Sequence, residues 1–200
     1  MTLSALAAYK SRLSENPPLV RAALALSEEL GVEQMCLPEV GQFLQIIASH
    51  QRGLIGEIGT ACGVGAAWIA SGMQKGTRLI TVELKPERAA LASRLFAERE
   101  DVTVICGDAH EISKFGPFDM LFTDGGGYKT VDETLELVRK GGFLIKDDLT
   151  PEASWTAEER QKWGSTGDDS RRREWLQNPK LLAQELALAP RISVFLASKL

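Results

Sequence analysis

Two groups of residues in this 200-residue chain have types and spacings suited to chemistry. The first is the glycine-rich run Glu57-Ile58-Gly59-Thr60-Ala61-Cys62-Gly63-Val64-Gly65. Glycine lets a backbone turn tightly and approach a ligand closely, and amides at a following helix N-terminus can face a polar or anionic group. The second is a trio of acids, Asp124, Asp147 and Asp148, each closing an apolar run. Their hard oxygens suit Mg2+, Mn2+ or Ca2+. The plainer reading is that Asp147 and Asp148 cap the next loop and that Asp124 bonds local backbone. Two further acids stand at run ends. Glu83 suits ribose hydroxyls, unless it is a solvated strand-end acid. Asp108, in Gly107-Asp108-Ala109, suits either an adenine amino group or the cap of a short helix.

These residues need elements to position them. Leu19, Ala22, Ala23, Leu26 and Leu30 recur at helical spacing after Pro17-Pro18 and before Gly31, and a second helix is expected after Pro38. From Leu54 the pattern changes. Leu54–Ile58, Arg78–Glu83, Val102–Cys106, Phe118–Thr123 and Gly142–Lys146 read as strands, with helices at Pro86–Glu98 and Thr130–Val138. Such alternation predicts a parallel sheet covered by helices on both faces. Leu181–Ala189 and Ile192–Ser198 are separated only by Pro190 and Arg191, a link that permits an antiparallel hairpin but no crossover. Glu83, Asp108 and the acids at 124, 147 and 148 then share the carboxyl edge of the sheet, where open α/β folds bind ligands.

Several chemistries compete for a glycine turn in this position. A P-loop requires GxxxxGK[ST], which is absent. The spacing also resembles the turn of short-chain dehydrogenases, but these use a Tyr-xxx-Lys pair. Here Tyr9 and Tyr128 are followed four positions on by Leu13 and Asp132. The turn also comes after some fifty residues of helical sequence.

The ordered set of motifs resembles the small class I O-methyltransferases that include catechol and caffeoyl-CoA O-methyltransferases and their bacterial relatives. The resemblance runs from about Leu37 to Leu200. It is carried by Leu37-Pro-Glu-Val-Gly-Gln-Phe-Leu-Gln45, by Glu57–Gly65 with its Cys62-Gly63 pair, and by Val82-Glu83-Leu84-Lys85-Pro86. Phe122-Thr123-Asp124 and Lys146-Asp147-Asp148 continue it, followed by Arg171–Trp175, Asn178-Pro179 and the closing hairpin. The chain departs from the family twice. Asp148 stands where an asparagine is usual, and Gly127 stands where many relatives carry a lysine, with Lys129 and Lys146 nearby.

The resemblance implies one Rossmann-like domain over residues 1–200, with a helical segment at 1–50 and a core at 54–200. Its sheet would be mostly parallel and seven-stranded, with N-terminal helices and a C-terminal antiparallel hairpin. S-adenosylmethionine would be held by Glu57, Gly59, Thr60, Ala61, Gly63, Gly65, Glu83, Leu84, Asp108, Ala109 and Asp124. Asp124, Asp147 and Asp148 would hold a divalent cation, Mg2+ or alternatively Mn2+ or Ca2+. Asp124, Lys129 and Lys146 are the candidates for acting on a small hydroxylated, catechol-like or other aromatic acceptor. Trp155 or Trp163 would cover that acceptor, or simply pack. His50 and His110 show no partner pattern.

Rival readings remain. Arg171–Arg173 would serve a tRNA hydroxynucleoside acceptor, or lie on a solvated helix face. A SAM-binding module without catalysis and an aminopropyltransferase share the architecture. The net charge of −4 calls for no nucleic-acid or membrane partner. Cys36, Cys62 and Cys106 form no CxxC pair, which fits free thiols in a reducing cytoplasm. No run is long enough to span a membrane and no secretory signal opens the chain. A homodimer through the N-terminal helices is expected from the resemblance.

Overall fold

The computed structural model describes residues 5–33, 35–125, 127–128, 130–163 and 170–200, with the backbone alone described at Asp148, Trp163, Ser170 and Arg171. Three helices come first: α1 (Ala5–Lys10), α2 (Pro18–Glu29) and α3 (Pro38–Ala48). β1 (Leu54–Ile58), α4 (Val64–Gly72), β2 (Arg78–Glu83), α5 (Pro86–Leu95), β3 (Val102–Cys106) and β4 (Phe118–Thr123) follow, with a 3-10 turn at Ala109–Lys114 before β4. Then come α6 (Val131–Leu135), β5 (Val138–Leu149), α7 (Ala157–Trp163), α8 (Ser170–Leu176), β6 (Leu181–Ala189) and β7 (Ile192–Lys199). α2, α3 and α5 each carry proline in the first turn, where its missing N–H costs no helical bond.

The seven strands form one sheet in the order β3-β2-β1-β4-β5-β7-β6. β1 to β5 pair in parallel, while β7 pairs antiparallel with β5 and β6. The expected sheet and closing hairpin are therefore both present. The strand order reverses between β1 and β4, which makes a crevice at their carboxyl ends. On one face of the sheet lies α4, buried from Val64 to Ala70 and overlaid by α3. Leu135, Ile112 and Trp175 belong to the apolar cluster that also includes Leu121 and Phe195. No helix among the described residues is long and apolar enough to cross a membrane.

Several boundaries differ from expectation, and β5 runs past the expected Lys146 to Leu149, which places Asp147 and Asp148 within the strand and not after it. Helix α6 stops at Leu135 rather than Val138, and β5 begins at Val138 rather than Gly142. Pairing of Val138 with Phe118 draws this stretch into the sheet, with a register shift before Met120 pairs with Phe143. Gly141 takes φ +74 within it. The start of α6 follows from a capping box: Thr130 Oγ1 accepts from Glu133 N, and Glu133 Oε2 accepts from Thr130 N. Helix α5 likewise ends at Leu95, three residues before the expected Glu98.

Candidate active site

The turn after β1 is built by backbone conformation. Gly59 and Gly63 adopt φ +96 and +91, and Gly63 caps α4. A Cβ on Gly59 would lie 1.8 Å from the carbonyl oxygen of Asp124, so only glycine lets the β1 and β4 loops meet. Asp124 N in turn donates to Ile58 O at 2.9 Å. Ala61 takes a left-handed φ of +48, and its N–H donates to Glu83 Oε2 at 2.8 Å. Lys85 N donates to Glu83 Oε1 at 2.9 Å. The Glu83 carboxylate therefore ties the glycine turn to the end of β2.

These loops surround a cavity of about 650 Å3. Of the residues expected to hold a cofactor, Gly59, Ala61, Glu83, Leu84, Asp108, Ala109 and Asp124 line it. Glu57, Thr60, Gly63 and Gly65 stand behind it and shape the turn. Glu57 is fully buried. Its Oε2 accepts from Thr81 Oγ1 at 2.5 Å, and Thr81 Oγ1 bonds Thr60 Oγ1 at 2.5 Å. Its Oε1 has no hydrogen-bond partner among the described residues, and a Cβ on Gly65 would lie only 2.5 Å from it. Burial pushes the Glu57 pKa up to about 8; the charges of Asp124 and Glu83 add to this, and the Thr81 hydrogen bond opposes it.

Asp108 caps the 3-10 turn, accepting from His110 N at 2.9 Å and pairing with His110 Nδ1 at 2.5 Å. These bonds hold its pKa below the usual carboxylate value. The capping alternative is thus realised in a residue that also lines the cavity. His110 has partners that the sequence did not reveal: Asp108, and the Tyr128 ring at 4.7 Å. Among the described residues, His50 bonds its own neighbourhood, Ile46 O and Ser49 Oγ.

A second cavity of about 290 Å3 shares Ile58 and Gly125 with the first. Lys146, Asp147, Tyr128 and the stacked pair Trp175 and Phe195 help line it. Lys146 Nζ donates to Gly125 O at 3.3 Å. Asp124 and Asp147 both act on the buried Cys36 thiol, whose pKa is raised by burial first and then by these charges. Among the described residues no three His, Cys, Asp or Glu side chains are grouped to hold a metal ion. The Asp148 side chain and Lys129 lie outside the described residues.

Other expectations find definite places. Trp155 is buried, donates from Nε1 to Thr150 O at 3.0 Å and lies 5.1 Å from the Arg172 guanidinium, so it packs. The side chains of Trp163 and Arg171 lie outside the described residues. Arg172 forms an ion pair with Glu185 at 2.9 Å, within the fold rather than on an open face. Glu33 and Met35 also line the larger cavity, and sequence reading missed both. They fall between Gly31 and Pro38, a stretch with no periodicity to mark it.

Residues 57–149 match the family model described as Methyltransferase domain. Over 148 residues the chain is 30% identical to a catechol O-methyltransferase of Niastella koreensis, covering 68% of this chain and 67% of that protein. The chain belongs to the class I O-methyltransferase family. A "Probable O-methyltransferase" of Mycobacterium tuberculosis is 31% identical over 119 residues, covering 54% of this chain and 53% of that protein. The chain thus spans about half the length of the mycobacterial relatives that it matches. The O-methyltransferase from Bacillus cereus, solved in complex with SAH, superposes with a TM-score of 0.73 at 22% identity, covering 96% of this chain and 95% of that one. TomG of Streptomyces achromogenes, an O-methyltransferase solved with SAM, gives 0.73 at 21% identity, covering 96% and 93%. Both structural likenesses are likenesses of fold. In this O-methyltransferase family member, the larger cavity lies at the switch point between β1 and β4, beside the glycine turn.

Proposed function

We propose that this protein is an S-adenosylmethionine-dependent O-methyltransferase acting on a hydroxyl of a small, aromatic acceptor. The observation that carries the reading is the acidic character of the cavity's inner wall. Glu33, Glu83, Asp108 and Asp124 line it and outnumber its two cations, Lys85 and Arg88. Such a wall attracts the sulfonium and ammonium of S-adenosylmethionine and repels the pyrophosphate of a dinucleotide. The volume, about 650 Å3, is in the range of cofactor pockets. Family membership and the SAM- and SAH-bound relatives support the same reading.

Each residue has a role in this proposal. A carboxylate has about four lone-pair sites, so Glu83 can accept its two backbone N–H bonds and still take ribose hydroxyls. Gly59 and Ala61 flank the methionine end, and Asp108 and Ala109 flank the adenine. When bound, the cofactor supplies an activated methyl group on sulfur. Protein catalysis then consists of orienting the acceptor oxygen in line and stabilising its charge. The second cavity, with its aromatic walls, suits the acceptor, and Lys146 stands where positive charge favours an ionised hydroxyl.

A divalent cation is part of the proposal. Asp124 directly follows β4 and Asp147 lies near the carboxyl end of the adjacent β5, and both offer the hard oxygens that Mg2+ prefers. They would hold the cation beside the acceptor, where it lowers the hydroxyl pKa. The test is isothermal titration with S-adenosylmethionine and with NAD+, then methylation assays on catechols, caffeoyl-CoA and tRNA with and without EDTA. Binding of S-adenosylmethionine but not NAD+ is expected, with EDTA-sensitive transfer to a catechol. No S-adenosylmethionine binding defeats the main reading, transfer to tRNA alone replaces the acceptor, and activity surviving EDTA removes the cation.

A further inference from the structure

We propose that Tyr9 is a positioning residue for the cofactor cavity: from α1 it fastens the segment joining α2 to α3, and so sets where Met35 and Glu33 stand in the cavity wall. The inference rests on the cofactor reading above.

Tyr9 is the one buried residue of α1, and it is fully buried. A phenylalanine would fill the same space without a polar atom to satisfy. A buried hydroxyl costs free energy unless it is bonded. Here it is bonded twice over long sequence distances. Tyr9 Oη donates to the Cys36 carbonyl at 3.0 Å and accepts from Trp68 Nε1 at 2.9 Å. Burial raises the phenol pKa far above its ordinary value, so the donor persists at any working pH.

The two partners belong to two parts of the cavity's support. Cys36 is adjacent in sequence to Met35, which lines the cavity. Trp68 lies on α4, the helix that begins at Gly63 of the cofactor turn. Tyr9 therefore links the wall segment to the helix behind the turn. The chain also makes room for this link. A Cβ on Gly41 of α3 would lie 2.2 Å from Trp68 Nε1, so glycine at this helix crossing lets the indole reach Tyr9.

The test compares wild type with Tyr9→Phe, Trp68→Phe and Gly41→Ala. Losing a buried hydrogen bond of this kind is expected to weaken S-adenosylmethionine binding roughly five- to tenfold by titration calorimetry. KM for the cofactor rises by the same factor, while kcat at saturating cofactor stays within about twofold, because only the wall is displaced. The Tyr9→Phe/Trp68→Phe double variant is expected to bind about as weakly as either single one, since both remove the same link. Phe118→Leu, at the amino end of β4, serves as a variant that destabilises the fold without touching the wall; its affinity stays unchanged. Amide exchange at Cys36 and Leu37 in the ligand-free protein rises in Tyr9→Phe but not in Phe118→Leu.

Tyr9→Phe that binds as wild type does, with only a lower melting temperature, overturns the proposal. So does an equal loss of affinity in Phe118→Leu, or a fall in kcat with unchanged KM. Should Tyr9→Phe fail to fold, Trp68→Phe removes the donor from the other side and is read by the same criteria. Wild-type protein that binds no S-adenosylmethionine overturns both this inference and the functional reading beneath it; normal wild-type binding with an unaltered Tyr9→Phe overturns this inference alone.

Discussion

Glu83 both builds the site and faces the ligand. Its oxygens accept from Ala61 N and Lys85 N, holding the turn on the end of β2, while the carboxylate lines the cavity. Glu83→Gln keeps the shape but turns an amide NH2 toward one of those N–H donors. Loss of charge-assisted bonds of this kind costs about 1.5–3 kcal/mol, so cofactor affinity should fall roughly ten- to a hundredfold by titration calorimetry. Glu57 behaves differently, because its burial acts on protonation. Its pKa lies near 8 in the folded protein against an ordinary 4.5. Between those values the folded state keeps a proton that the unfolded state has lost. The contribution of Glu57 is therefore most favourable below about pH 4.5 and is lost as pH rises toward 8. The loss is on the order of a few kcal/mol. Glu57→Gln should flatten this part of the profile, which urea unfolding at pH 5 and pH 8 would show as a smaller difference than in wild type.

Arg172 does comparable work between elements. From α8 it reaches Glu185 on β6 through two hydrogen bonds of 2.9 and 3.0 Å, and the Thr150 carbonyl just after β5 at 2.5 Å. Ser193 Oγ on β7 donates to the same carboxylate at 2.5 Å. Removing the guanidinium takes two charge-assisted hydrogen bonds from the half-buried Glu185 carboxylate and one bond from the Thr150 carbonyl. Arg172→Ala should lower stability by about 2–4 kcal/mol in urea unfolding, and more than Arg173→Ala, whose side chain is exposed. The sequence shows such an arginine only as one member of a basic run; tertiary pairing decides that it is internal. The same distinction runs through the fold. β1 to β4 are legible because each is an apolar run closed by glycine or an acid, and β6–β7 because two residues cannot make a crossover. The start of β5 is not legible: Val138-Arg-Lys-Gly-Gly has no strand alternation, and only pairing with β4 extends it. At the site, Glu83 and Asp124 are legible because parallel strands align their carboxyl ends. Glu33, Met35 and the Tyr9 link are not, because they come from a stretch without periodicity and from side-chain packing across distant segments.

On the scale of the whole molecule, the larger cavity draws its walls from widely separated segments, from Glu33 to Gly127. Its walls join the N-terminal segment, β1, β2, β3 and the loop after β4, on both sides of the switch point. Unfolding any of these destroys the site, so a ligand held there binds only the folded chain and stabilises all of it. At a hundred times its dissociation constant, a ligand adds about 2.7 kcal/mol. For a domain of this size each kcal/mol raises the melting temperature by about 2–4 °C. S-adenosylmethionine should therefore raise it by about 5–10 °C in a thermal scan at that saturation. NAD+ should leave it unchanged, because its pyrophosphate would have to sit beside Glu83, Asp108 and Asp124. The ionic-strength dependence separates charge from shape. Salt screens the attraction between a cationic ligand and an acidic wall, so the affinity for S-adenosylmethionine should weaken modestly as salt is raised. An equal thermal shift from NAD+ would show that the acids do not select the ligand, and the fold alone would then have to explain what binds.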